Sequence, residues 1–433
     1  MALSFYSGTF TITAGTGTQA VSGVGFQPKV VIAYWTRATA NATFTAQESF
    51  GMGMAVDRVT DQQANTEFLN IDNVTTTDSA VAKVGTSFIR NIANVGAGMN
   101  VVAAISSFDS DGFTINKTTN DGTNLHIIKY MAIGGSDLED AYLEEFTSPS
   151  GTTGNQAFTG VGFQGNLGLF WGMFGTAAGS ESAADYEFHF GAAKSSSERA
   201  VVALWGNDGS TGTNQTESYL SDSSCLAIPN GGNLSFNQVA DFVSWDSDGF
   251  TLNFTTSVGT GIRFYGLILK GTFQSAIAQQ ARPTSTGDQD VTTPGFQPTG
   301  VILAGTFATA TATETVQGHL ALGAGDGTNS HGVWVGESGG NPTDCNMYVS
   351  NANVYTQATN PSTIAAQASL AMLSTGYRLT WGTADATARL FLHVALSSAA
   401  VTGPNEPSVN DGVTVAEGTT MHMPIDVRME KLS

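Results

Sequence analysis

The sequence predicts an all-β protein: three tandem antiparallel β-sandwiches of jelly-roll type, arising from internal triplication and followed by a C-terminal β-hairpin arm. Three observations carry this expectation. Landmark motifs return three times in fixed order at near-constant spacing. Short β-branched or aromatic runs lie close to glycine and proline breakers. The composition, with 51 glycines among 433 residues and only 12% charged side chains, describes a turn-rich chain whose 41% apolar content suffices for several cores.

Each unit opens with a glutamine, Gln19, Gln156 or Gln289, placed 7 residues before a landmark phenylalanine. The landmark follows: Gly23-Val24-Gly25-Phe26-Gln27-Pro28, then Gly160-Val161-Gly162-Phe163-Gln164, then Pro294-Gly295-Phe296-Gln297-Pro298. Phe163 comes 137 residues after Phe26, and Phe296 comes 133 after Phe163. Runs such as Val30-Val31-Ile32-Ala33-Tyr34-Trp35 and Val301-Ile302-Leu303-Ala304 read as strands. An acidic turn, Asp109-Ser110-Asp111-Gly112-Phe113, returns as Asp246-Ser247-Asp248-Gly249-Phe250 and, without its acids, as Ser374-Thr375-Gly376-Tyr377. A closing apolar strand ends each unit, introduced by His126, Arg263 or Arg389. A period near 135 residues exceeds the roughly 20–50 of solenoids and propellers, so each unit is expected to be a domain with its own core. The expected boundaries are 1–136, 137–271 and 272–398, with an arm over 399–433. Asp137–Glu145 and Ser275–Arg282, at the junctions, read either as linker helices or as first strands. In the arm, Gly412–Ala416 and Thr420–Val427 alternate around Glu417-Gly418, which suits a hairpin.

Charge and cysteine usage exclude several classes of function. Sixteen basic against 36 acidic residues give a net charge of -20, which repels a phosphate backbone and an anionic lipid surface. No nucleic-acid partner and no membrane insertion are expected. The longest weakly polar run, Leu167 to Gly179, falls short of the roughly eighteen residues of a spanning helix, and no secretory signal is expected. Two cysteines, Cys225 and Cys345, cannot staple a small scaffold or build a four-thiolate zinc site, and they occupy unrelated places in their units. They read as buried thiols.

The chemistry-bearing motifs resolve into structural ones. Asp109 with Asp111, and Asp246 with Asp248, hold part of a calcium loop, yet calcium takes about six to eight oxygens and the third unit lacks the acids, so these are turns. His126, His189, His319, His331, His393 and His422 form no zinc-hydrolase spacing. Period two in Phe188-His189-Phe190 sends His189 to a solvated face. The basic position His126, Arg263, Arg389 reads as a solubilising strand end, with an acidic neighbour as the alternative. Gly336-Glu337-Ser338-Gly339-Gly340 matches a nucleophile elbow in letters but runs into Asn341-Pro342, where an elbow needs a helix. Gly323 to Gly327 lacks the lysine of a phosphate loop and reads as a flexible connection. Trp35, Trp171, Trp205, Trp245, Trp334 and Trp381 read as core, Trp245 matching Phe108. No catalytic, cofactor-binding or metal residues are assigned, and no enzyme activity or cofactor is expected.

The run Gly25-Phe26-Gln27-Pro28-Lys29-Val30-Val31, followed some eighty residues later by Asp109-Ser110-Asp111-Gly112-Phe113-Thr114 and a tyrosine-bearing closing strand, resembles the repeated β-domains of structural proteins of tailed bacteriophages. The resemblance covers 1–398 in three instalments and carries no catalytic residues; Gly165 in place of proline and the missing acids of the third turn depart from it. It implies a non-catalytic virion component, a capsid decoration or a tail, collar or fibre part, made in the host cytoplasm and bound to other virion proteins and to itself. The alternative is a carbohydrate-binding adhesin or receptor-binding protein whose partner is a host surface glycan, bound by loops at one end of each sandwich.

Overall fold

The computed structural model describes residues 2–399 except 73, 75, 124, 174–178, 184, 212–215, 231–234, 260, 339–343 and 360–361, and gives only the backbone of 179–183. The expected hairpin in the arm lies outside the described residues. Every regular element described is a strand, and every strand pairing is antiparallel. Both junction segments are first strands, Leu138–Thr147 and Gln274–Ala281.

One strand order occurs three times. In the first unit a four-stranded sheet runs Gly17–Ser22, Gly112–Asn120, Met99–Asp109, Ile89–Ile92. A longer sheet runs Leu3–Thr11, Ile127–Gly135, Val30–Trp35, Glu48–Val56, Gln62–Asn70, Ser79–Val84. Its seventh strand is Gly179–Ala183, which comes from the second unit. Thr313–Thr315 of the third unit completes the second unit's long sheet, and Thr45–Ala46 of the first completes the third's. The exchange therefore closes into a cycle.

Packing explains why strands such as Val30–Trp35 are apolar at every position. Alternate side chains of a strand point to opposite faces, and here both faces are buried. Val31, Ala33 and Trp35 face the short sheet of their own unit and meet Val101, Ile105, Phe113 and Ile115. Val30, Ile32 and Tyr34 face the other way, into a core to which all three units contribute, with Leu167, Leu169 and Trp171 from the second and Ile302 and Ala304 from the third. Ile32, Leu169 and Ile302 occupy one equivalent position, each preceding the residue paired with Gly53, Gly191 or Gly323. Truncating any of them to alanine would cost about 2–5 kcal/mol.

Met1–Ala399 is accordingly one compact unit. The expectation of self-contained sandwiches is modified in two respects: each long sheet ends on a borrowed strand, and its outer face is buried against the other two units. The expected inter-unit boundaries do coincide with the starts of the first strands, which pack across the junctions. Ser7 Oγ donates to the Ala324 carbonyl at 2.9 Å and Tyr34 Oη to the His331 carbonyl at 2.9 Å, joining the first unit to the third.

A fragment of residues 1–136 is expected to self-associate, because it exposes Val30, Ile32 and Tyr34 and lacks its seventh strand, whereas 1–399 should melt cooperatively without the arm. Light scattering coupled to size exclusion, with thermal unfolding of both, checks this; a stable monomeric 1–136 would contradict the shared core.

Candidate functional site

The recurring motifs turn out to touch one another. The Asp111 carboxylate accepts the Gly23 N–H at 3.0 Å and the Gly25 N–H at 2.6 Å. Asp248 does the same for Gly160 and Gly162, at 3.2 and 2.6 Å. Asp109 and Asp246 accept hydroxyls from Ser107 and Thr114, and from Ser244 and Thr251. Gln27 and Gln164 donate to the carbonyls of Phe108 and Trp245. In the third unit the Thr375 carbonyl takes the Gly295 N–H at 3.1 Å, so backbone replaces the missing carboxylate. Asp111 and Asp248 clamp the landmark loop to the turn of a neighbouring strand, while Asp109 and Asp246 brace the hairpin that carries that turn. Among the described residues no group of three or more His, Cys, Asp or Glu is placed to hold a metal.

Five of the six histidines are described and all five are buried. His189, expected on a solvated face, is fully enclosed, because the second face of its strand meets a core as well. Burial pushes its pKa down to about 3, and that of His319 likewise to about 3. The basic position before the closing strand favours the acidic-neighbour reading in two units. Arg263 bonds Glu145 at 2.5 Å; Arg389 bonds Asp385 at 2.6 Å and stacks over Phe307 at 4.0 Å. His126 is instead buried, its Nδ1–H donating to the Arg37 carbonyl at 3.0 Å. Both cysteines are free and buried. Cys225 presses its carbonyl against Gly191, as Phe88 does against Gly53 and Val354 against Gly323; a Cβ at any of these glycines would lie within 2.0 Å of that oxygen. Gly323 to Gly327 contains a tight turn in which Asp326 Oδ1 accepts the N–H groups of Thr328 and Asn329. Gly336 and Glu337 of the elbow-like motif end the strand Ser330–Glu337, Ser338 follows it, and Gly339-Gly340 lie outside the described residues. Five tryptophans are core, while Trp245 is only partly buried.

A polar cluster that the motif reading missed lies where the three units meet. Counting from the three pressed glycines, Glu48, Tyr186 and Gly318 are equivalent, and so are their strand partners Asn70, Gly206 and Glu337. Two of these six positions have no room for a side chain: a Cβ at Gly206 would meet the Tyr186 ring at 2.1 Å, and one at Gly318 would meet Thr216 Oγ1 at 1.7 Å. The sequence therefore breaks its own repeat. The signal was present, as non-matching residues at one repeat position, but it needs the strand register to be seen.

The hydrogen bonding fixes a protonation state. Tyr186 Oη lies 2.8 Å from Glu48 Oε2 and 3.1 Å from Glu337 Oε2, while Asn70 Nδ2 donates to Glu337 Oε2 at 2.9 Å. A phenol has one proton to give. Tyr186 can donate to only one of the two carboxyls, so at least one of Glu48 and Glu337 must be a neutral acid donating to the phenol oxygen. Burial and the neighbouring Glu337 push the Glu48 pKa well above the carboxylate range; burial pushes Glu337 up to about 8. The unpartnered Glu48 Oε1 and Glu337 Oε1 are tolerable on neutral acids and costly on buried anions. Such a sealed cluster holds three units together and binds a proton, but it cannot touch a substrate.

No protein-family model, no curated protein and no solved structure matches this chain.

Two outcomes are expected. A carboxyl whose folded pKa is raised contributes stability that is full below its unfolded pKa of about 4.3 and is lost as pH rises through the folded value, here about 8 for Glu337. Glu48→Gln mimics the neutral acid, so it should melt within a few degrees of wild type at pH 6 and lose less stability between pH 6 and 9.5; parallel melting curves would rule out the proton. Asp248→Ala, which hands two exposed N–H groups to water, should cost about 0.5–1.5 kcal/mol in denaturant melts, equally with and without EDTA.

Proposed function

We propose that this chain is a non-catalytic structural component of a tailed-bacteriophage particle, a capsid decoration or a tail or collar part, acting through protein–protein contacts. The observation that carries the reading is the cyclic strand exchange around a common core. It fixes three related surfaces in one geometry on a single chain, which suits repeated docking on an assembly. With three linked sites, each later contact is effectively intramolecular, and weak contacts can gain about 10²–10⁴ in avidity. Two further features support it. The landmark and turn motifs that resemble repeated virion domains are spent on clamping the sandwich. The net charge of -20 favours a position away from packaged DNA.

Quantitative proteomics of gradient-purified particles should find the chain at many copies per particle. Deleting 401–433 should lower its incorporation while leaving 1–399 folded. Absence from particles would overturn the proposal.

A further inference from the structure

We propose that the cleft between the second and third units is a binding site for a neutral saccharide, built on the ring of Trp245. This goes beyond the particle assignment and does not depend on it. The cleft has a volume of about 570 Å³, inside the roughly 300–1,000 Å³ of small-ligand sites. Trp245, Phe273 and Phe296 supply apolar surface, and Asn166, Lys194 and Gln274 supply polar groups.

Internal repetition serves as a control for what the fold itself requires. Phe113, Phe250 and Tyr377 pair with Phe108, Trp245 and Met372, so the tryptophan stands where the other units have a smaller side chain. Its accommodation needs a second departure. Gly165 replaces the proline found at Pro28 and Pro298, and a Cβ at 165 would lie 2.7 Å from the indole ring. Two units fold with neither change. The indole is also fixed: Nε1 donates to the Lys194 carbonyl at 2.8 Å, and the ring packs on Phe242 with centroids 4.7 Å apart. What remains is a rigid, partly exposed ring that lines the cleft. At the equivalent junction between the first and second units the cleft is lined by Gln27, Lys29, Asp57, Gly135 and Ser136, without an aromatic ring.

Charge selects the ligand class. Lys194 Nζ is 2.8 Å from Glu198 and donates to the Ser275 carbonyl at 2.9 Å, as Lys29 Nζ donates to the Leu138 carbonyl in the other junction. The lysine ties consecutive units together, and its charge is neutralised locally. A phosphate or a free cation finds no uncompensated partner there. Asn166 uses its Oδ1 on the Gly271 N–H, and Gln274 uses its Nε2 on the Ser398 carbonyl. A primary amide carries two donors and an acceptor with two lone pairs, so each keeps capacity for hydroxyls. A fixed, partly exposed indole for C–H groups beside amides for hydroxyls matches a hexose ring.

The test uses the full chain. A panel of immobilised neutral oligosaccharides with glucosyl, galactosyl, mannosyl, rhamnosyl and N-acetylglucosaminyl ends is screened, and the best-retained sugar is titrated in solution against tryptophan emission. The other five tryptophans are at most 1% exposed, so an emission change reports Trp245. Retention of a neutral glycan is expected, with a saturable emission shift. Trp245→Phe, the residue type at Phe108, should weaken binding at least tenfold with an unchanged melting temperature. Asn166→Ala, on the exposed rim, should weaken it independently should the first variant fold poorly. No retained glycan, equal retention by wild type and both variants, or retention of anionic glycans alone that vanishes with salt would overturn the site.

Discussion

Burial of the long sheets on both faces is the constraint on which the rest of this molecule depends. An antiparallel sheet can leave one face in water, and a sandwich built that way would alternate apolar and polar residues along each strand. Here Val30 to Trp35 and Val301 to Ala304 are apolar throughout, because one set of side chains fills the sandwich and the other fills a core common to the three units. The borrowed strands Thr45–Ala46, Gly179–Ala183 and Thr313–Thr315 follow from the same arrangement. Sheets held this close around one core bring each sheet edge within reach of the next unit, and pairing that edge removes a row of unsatisfied backbone groups.

A threefold arrangement of similar units creates a problem at its centre, where identical side chains would compete for one space. The solution is chemical asymmetry. Tyr186 fills the space that Gly206 leaves open, Thr216 fills that at Gly318, and Glu48 and Glu337 bond the Tyr186 hydroxyl while Asn70 donates to Glu337. Just inside this layer Phe50 and Phe188 meet edge to face at 4.8 Å, and Phe68 stacks on Tyr186 at 4.3 Å. The polar layer is costly unless a proton is retained, which links the packing of three units to a titration. Departures from the repeat thus have two sources. At the centre sterics compel them; at Trp245 two other units fold with a smaller side chain, and Gly165 follows from the room that Trp245 and Ile268 take.

Much of the local structure could be read from the chain alone. The strand runs, the turn at Asp111-Gly112, the order of the landmarks and the starts of the units depend on interactions within a few residues or on a pattern that repeats. Even the loss of the acids in the third turn was readable as harmless, and the Thr375 carbonyl shows how. His189 was misplaced because period two assigns one face to solvent, a rule that fails when both faces are covered. The acidic cluster went unread because Glu48, Tyr186 and Glu337 are far apart in sequence and share no motif.

By itself, then, the sequence determined the all-β class, the threefold repetition and the structural role of the acidic turns, since these rest on backbone propensity, glycine and local hydrogen bonding. Only the tertiary structure decided that the units share a core, that their sheets are completed by exchanged strands, and that Glu48 and Glu337 meet around one phenol and retain a proton. Those features arise from contacts between residues more than a hundred positions apart, whose burial and pairing no local pattern encodes.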